Sequence, residues 1–273
     1  MPQTWGYSEC NGPKHWGKDF PLALGHRQSP VNIVSSQAVR DPMLLSKPLK
    51  YQYEDVAATQ LTNGGFGWRV DVNSPSHNLE GGPLNHRYKL VQFHAHWGPS
   101  CCSGSEHTID GTCTAGELHL VHYNIDLYDE PAKAMSGENG LAVVGILLKE
   151  GDEHPEFEKI CSLIDKIKHK GSSVTDVGPF NLRAFYPHQP GNYFTYEGSL
   201  TTPPCYESVT WILMRECIEL SKAQLDKFRS MLNYCEGECE LGPLDGTVQE
   251  NYRDCQPLEG RVIRCSGCDT PPN

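Results

Sequence analysis

The chain has 273 residues, with 34 acidic against 23 basic side chains and a net charge of -11. That balance argues against a general nucleic-acid binder, and the scattered acidic residues read as a solvated surface rather than a mineral- or calcium-binding tail. No linker divides the sequence, and its longest apolar stretch, residues 141–148, is far too short to span a bilayer, so one large domain is expected.

The first element in chain order, residues 60–72, reads as a strand. Residues 89–97, Lys-Leu-Val-Gln-Phe-His-Ala-His-Trp, alternate as a strand does. Residues two apart share a face, so His94 and His96 project together with Gln92 beside them. Asp110-Gly111 is a hairpin-turn pair. The run 116–123, Gly-Glu-Leu-His-Leu-Val-His-Tyr, then sets His119 on one face with Glu117 and Val121. If the two strands pair, three imidazoles converge on one point. Three neutral nitrogen donors with a fourth position left for water make a catalytic zinc site, not a structural one. Glu117 and Gln92 would hold the ring N–H groups and fix the tautomers. A single strand histidine is more often a surface or hydrogen-bonded core residue. The third histidine, with a carboxylate and a carboxamide on the same faces, favours metal. Trp97, Leu118 and Leu120 point the other way and read as packing.

Residues 141–148 read as a buried central strand. Residues 155–168 read as a helix with Phe157, Ile160, Cys161, Ile164 and Ile167 on one face. Strands are expected at 208–214 and 260–264. Between them, residues 221–232 open on Ser221-x-x-Gln224, a capping-box pattern, and carry Leu225, Phe228 and Leu232 on one stripe. Residues 1–265 form the expected domain, and 266–273 have the composition of a loose tail. The pattern is a mostly β protein with a few peripheral helices.

Twelve cysteines, mostly in Gly/Ser/Pro/Asp-rich loops, favour disulfides and an oxidising compartment. Cys161 and Cys217 lie on apolar faces and fit buried thiols. Cys101, Cys102 and Cys113 flank one hairpin, where a pairing is expected. A second zinc held by Cys235, Cys239, Cys265 and Cys268 competes with disulfides there, though a domain this large needs no structural zinc. The N-terminus is polar from the start, with no signal peptide. The expectation is an extracellular, mature form with an added Met, and the alternative is a cytoplasmic protein.

Over nearly its full length the chain resembles the α-class carbonic anhydrases. Trp5-Gly-Tyr7, Asn11-Gly-Pro13, His15-Trp16 and Arg27-Gln-Ser-Pro-Val-Asn32 carry the N-terminal part. Gln92-Phe-His-Ala-His-Trp-Gly98, Gly104-Ser-Glu-His-Thr108 and Glu117-Leu-His-Leu-Val-His122 follow. Tyr196, Gly198-Ser-Leu-Thr-Thr-Pro-Pro204, Val209-Thr-Trp211 and Asn251-Tyr-Arg253 complete the order. The resemblance implies a large, mainly antiparallel, twisted central sheet with zinc at the base of a conical cleft. It implies reversible hydration of carbon dioxide to bicarbonate and a proton, through attack by zinc-bound hydroxide, and binding of primary sulfonamides. No oligomeric state is implied.

Residue by residue, the resemblance gives His94, His96 and His119 to the zinc and makes Thr201 a gatekeeper that donates to Glu106. Gln92, Glu117 and the backbone carbonyl near Asn251 would orient the ligands. Val121, Val143, Leu200, Val209 and Trp211 would form an unhydrated wall for carbon dioxide, while Tyr7 and Thr202 would order water. The family's shuttle histidine matches Gly65 here, or Phe66 if the small insertion falls earlier, and neither titrates. Trp68 and Arg69 replace small polar residues at the mouth. Secreted relatives pair a cysteine near the start with one at the position of Cys205. The first position is Ala23 here, leaving Cys10 as a substitute. A non-catalytic binding or matrix domain of the same fold is the alternative, but such domains typically lack a zinc histidine. No His-Glu-x-x-His occurs, which counts against a zinc peptidase.

Overall fold

The computed structural model describes residues 5–54, 56–238 and 246–267. Its core is a thirteen-stranded sheet. Across the sheet lie Ser173–Val174, Ala57–Asn63, Trp68–Asn73, Tyr88–Trp97, Gly116–Asn124, Leu141–Glu150, Val209–Met214, Tyr193–Gly198, Arg264–Cys265 and Val39–Arg40. Most neighbours are antiparallel, but Leu141–Glu150 pairs in parallel with Val209–Met214. Leu141 to Leu148 are all buried, which explains why this central strand reads as an unbroken apolar run.

The sheet separates two apolar clusters. On one face Phe93, Ala95, Trp97, Leu118 and Leu120 pack with the helices Pro155–Cys161 and Lys222–Arg229, through Phe157, Ile160, Leu225 and Phe228. On the other, Val121, Val143, Val209 and Trp211 form a smaller cluster. The second helix starts on a full capping box, with Ser221 and Gln224 each accepting from the other's backbone N–H. Among the described residues no helix is long and apolar enough to cross a membrane.

Five sequence expectations need correction. Residues 60–72 are not one strand: Ala57–Asn63 and Trp68–Asn73 form a hairpin. It turns where Gly65 and Gly67 take φ values of +89° and +131°, a region costly for other residues. Trp68 is therefore not at a cleft mouth. It is buried against Phe93, Phe157 and Phe228. The helix predicted over 155–168 stops at Cys161 and resumes as a 3₁₀ turn, Ile164–Ile167. At the break the Ser162 hydroxyl donates to the Lys159 carbonyl, a local bond that competes with helix continuation. At the C-terminus the strand predicted over 260–264 pairs only at Arg264, and the pairing runs on into Cys265. Ser266, assigned to the tail, is buried and donates from its backbone to Tyr193.

The cysteine expectation also changes. Cys10, Cys101, Cys102, Cys113, Cys161, Cys205, Cys217, Cys235 and Cys255 are free thiols. Cys205 is buried in an apolar cluster with Trp16 and Ala23, whereas Cys10 is exposed beside Ser8, so the substitute bridge does not form. Cys265 is disulfide-bonded. The competing four-cysteine zinc site includes Cys239 and Cys268, which lie outside the described residues.

Candidate metal centre

Tyr88–Trp97 and Gly116–Asn124 run antiparallel, with His94 opposite His119 and His96 opposite Glu117. Opposed residues of such a pair project from the same face. The three imidazole rings meet there, with centroids 5.0, 5.2 and 4.7 Å apart. One donor atom from each lies within 4.8 Å of the others.

Each ring is held by a different acceptor. His94 donates from Nδ1 to Gln92 Oε1 at 2.8 Å, and His96 donates from Nδ1 to the Asn251 carbonyl at 2.7 Å. His119 donates from Nε2 to Glu117 Oε1 at 2.8 Å, which leaves its Nδ1 available. With those protons committed, the Nε2 atoms of His94 and His96 face each other as bare lone pairs 3.2 Å apart. Only a shared cation makes that approach favourable. Two nitrogens each ~2.0–2.1 Å from a tetrahedral zinc stand ~3.3 Å apart, so the donor set fits Zn2+.

The electrostatics agree with neutral ligands. Burial holds all three imidazoles below the usual histidine range, His96 at about 4, and the neighbouring rings push His94 lower still. Burial would raise the Glu117 carboxyl, but His107 and His119 outweigh it and keep it well below its ordinary value. Glu117 accepts four hydrogen bonds. Oε1 takes the His107 and His119 ring N–H groups, and Oε2 takes the backbone N–H groups of Glu106 and His107.

Glu106 is the other buried carboxylate. Its Oε1 accepts from the Arg253 backbone N–H at 2.9 Å. Its Oε2 lies 3.4 Å from His96 Nε2 and has no hydrogen bond of regular geometry. The Thr201 hydroxyl approaches the same carboxyl and lowers its pKa, although burial dominates and pushes Glu106 up to about 7. Thr201 is buried, and Thr202 closes the next turn by accepting from the Cys205 N–H.

Val121, Val143, Val209 and Trp211 form the apolar cluster beside the histidines, with Leu200 packed against it and the Trp211 ring 4.9 Å from that of His119. Gly65 and Phe66 differ sharply. A side chain at Gly65 would meet Lys170 within 2.8 Å. The Phe66 ring instead stacks on Trp5 at 4.1 Å and meets Tyr7 edge-on at 5.8 Å. The Phe66 carbonyl accepts from the Asn251 side chain. Tyr7 is raised well above the usual phenol range by burial and by Glu106 nearby.

Sequence reasoning assigned no role to His107, although its motif carried the resemblance. Its ring links Glu117 to the Tyr196 hydroxyl at 2.6 Å, and Tyr196 in turn meets Ser29 at 2.8 Å. Arg253 was missed as well. It binds Gln28, Ser29 and Ala23 while its backbone holds Glu106. The available signal was a buried carboxylate, Glu117, with more acceptor capacity than one histidine could fill.

A mostly antiparallel sheet presenting three neutral imidazoles, a buried carboxylate pair and an apolar wall defines a metal-dependent enzyme fold of one recognisable kind. The chain belongs to the eukaryotic-type carbonic anhydrase family, whose model matches residues 11–267. It is 44% identical to carbonic anhydrase 7 of Homo sapiens over 264 residues, covering 96% of this chain and 97% of that protein. Carbonic anhydrase 7 of Mus musculus is 43% identical over the same shares. Carbonic anhydrase 1 of Mus musculus is 42% identical over 266 residues, 96% of this chain and 98% of that one.

Proposed function

We propose that this chain catalyses the reversible hydration of carbon dioxide to bicarbonate and a proton, with one zinc ion held by His94, His96 and His119. The observation that carries the reading is the facing pair of bare imidazole nitrogens, 3.2 Å apart, beside a buried Glu106. When bound, zinc supplies Lewis acidity and makes water a nucleophile near neutral pH.

The remaining work falls to the chain. Gln92, Asn251 and Glu117 take the ring protons, so each histidine offers a lone pair in a fixed direction. Glu106 accepts the Thr201 hydroxyl proton. Thr201 Oγ1 is then an acceptor only: it selects a nucleophile that carries a hydrogen and, by taking that hydrogen bond, turns the nucleophile's own lone pair toward the substrate carbon. Val121, Val143, Leu200, Val209 and Trp211 give carbon dioxide an unhydrated surface, as a small apolar molecule requires. Tyr7 and Thr202 order water on the way out.

The product proton leaves without a histidine relay. The shuttle position is read at Phe66, which stacks on Trp5 and meets Tyr7 edge-on, because a side chain at Gly65 would run into Lys170. Proton transfer to buffer therefore limits turnover. His15 is tied to the Glu9 carbonyl and is a poor substitute.

Stopped-flow hydration with a pH indicator tests the assignment. Zinc-loaded protein should accelerate the reaction, and a primary sulfonamide should abolish it. Thr201→Ala should keep zinc and lose about 10²-fold in rate, as for removal of one preorganised donor. His94→Ala should lose the metal. A fully zinc-loaded chain without activity would instead favour a non-catalytic binding domain.

A further inference from the structure

The loop joining the two histidine strands carries a thiol cluster that the reaction above does not use. Ser100 and Ser103 bridge the base of a tight turn, with their hydroxyls 3.0 Å apart and the Ser103 N–H donating to the Ser100 carbonyl. Cys101 and Cys102 hold its two central positions. Both are exposed, and their sulfurs are 3.3 Å apart. Cys113, on the returning limb, donates its thiol to the Cys102 carbonyl at 2.8 Å. Two free thiols thus sit at the centre of the turn, with a third on the returning limb. Cys101 lines a groove together with Glu150, Lys222, Asp226 and Arg229. Lys222 and Arg229 share the single carboxylate of Asp226, so with Glu150 the groove carries no net charge.

Two adjacent cysteines resist the alternative fate of oxidation to each other. Their α-carbons are ~3.8 Å apart along the chain, below the ~4.4–6.8 Å that an unstrained disulfide spans. The pair therefore does not close on itself without strain. A dithiol at this spacing is a chelate: two sulfurs on one tetrahedral ion at ~2.3 Å stand ~3.8 Å apart, a small opening of the contact observed.

We propose that this turn is a second metal site, in which Cys101 and Cys102 chelate a soft, thiophilic cation and Cys113 supplies a third sulfur. Sulfur donors select soft ions over calcium or magnesium, which take oxygen. To engage as the third ligand, Cys113 must leave the Cys102 carbonyl and close on the pair, since the three sulfurs do not already lie together. A divalent cation binding three thiols releases three protons and leaves one net negative charge on the complex. No electron is transferred and no oxidant is needed.

Cadmium is the probe. Reduced, zinc-loaded protein is titrated with Cd2+, following the ultraviolet thiolate-to-cadmium absorption, and bound cadmium and retained zinc are measured after dialysis. The expected result is one cadmium per chain at this turn with zinc retained. Affinity should fall roughly tenfold or more in Cys101→Ser and in Cys102→Ser. Cys10→Ser, which removes an exposed thiol elsewhere, should change nothing. The proposal is overturned if wild type and Cys102→Ser take up cadmium equally. It is also overturned if every cadmium bound matches a zinc released, since the ion then sits among the histidines.

Discussion

Glu117→Gln isolates the contribution of one buried charge. The carboxylate accepts two ring N–H groups on one oxygen and two backbone N–H groups on the other. An amide keeps one acceptor oxygen and turns an NH2 toward the other pair, so two buried donors lose their partner. Each costs about 1–3 kcal/mol, so the two together cost about 2–6 kcal/mol. At about 2.1 cal/mol/K per residue, the unfolding entropy of 273 residues converts that loss into a melting point lower by about 3–10 °C. The ring N–H groups can relieve the clash only by changing tautomer. For His119 that places a proton on Nδ1, the nitrogen left for metal, so zinc affinity should also fall about 10–100-fold. Thermal unfolding of the metal-free protein and zinc competition against a chromophoric chelator read the two effects separately. A melting point within a degree of wild type, together with unchanged zinc affinity, would refute the reasoning.

His122 should make the fold acid-sensitive. It is buried, donates to the Ala142 carbonyl, accepts from the Tyr53 hydroxyl, and burial holds it at about 3. Below about pH 6.5 the unfolded imidazole takes a proton that the folded one refuses, so this stability is present above 6.5 and falls by up to about 1.4 kcal/mol per pH unit toward 3. Urea midpoints of His122→Gln should accordingly decline less steeply between pH 7 and 5, and parallel curves would dismiss the idea. Phe66→His should raise turnover in weak buffer, while Gly65→His, forced into a positive φ against Lys170, should lower stability and leave buffer dependence unchanged. Equal buffer dependence in wild type and Phe66→His would show that another group carries the proton. Thiol titration of unreduced, denatured protein should find at least nine free cysteines; two or three would restore the disulfide-rich expectation.

The metal ligands were legible because a strand's period of two is simple to count. Gln92, His94 and His96 fall in step, and so do Glu117 and His119. Asn251 was not readable in that way. It lies 155 positions from His96 and offers a backbone carbonyl, which no side-chain pattern reveals. His107 precedes a two-residue strand, Thr108–Ile109, so no periodicity fixed its direction. Trp68 was misread because it follows a glycine turn. Register cannot be counted through such a turn, and a slip of one residue exchanges the two faces of a strand. The helix break at Ser162 left no trace in the apolar spacing, which continues through Ile164 and Ile167 as if the helix did.

The carbonyl of Asn251 sets a timetable. The histidines and two of their three orienting groups emerge within residues 92–119, early in synthesis. His96 acquires its acceptor, and Trp97 the matching bond to the Asn251 side chain, only when the last tenth of the chain has arrived. A nascent chain that has not yet released residue 251 therefore has its ligands without the means to aim all of them, and tight metal retention follows the arrival of that residue rather than formation of the hairpin. Nascent chains halted before and after residue 251 would differ in how long they keep zinc against a chelator, and equal retention would place the decisive step earlier.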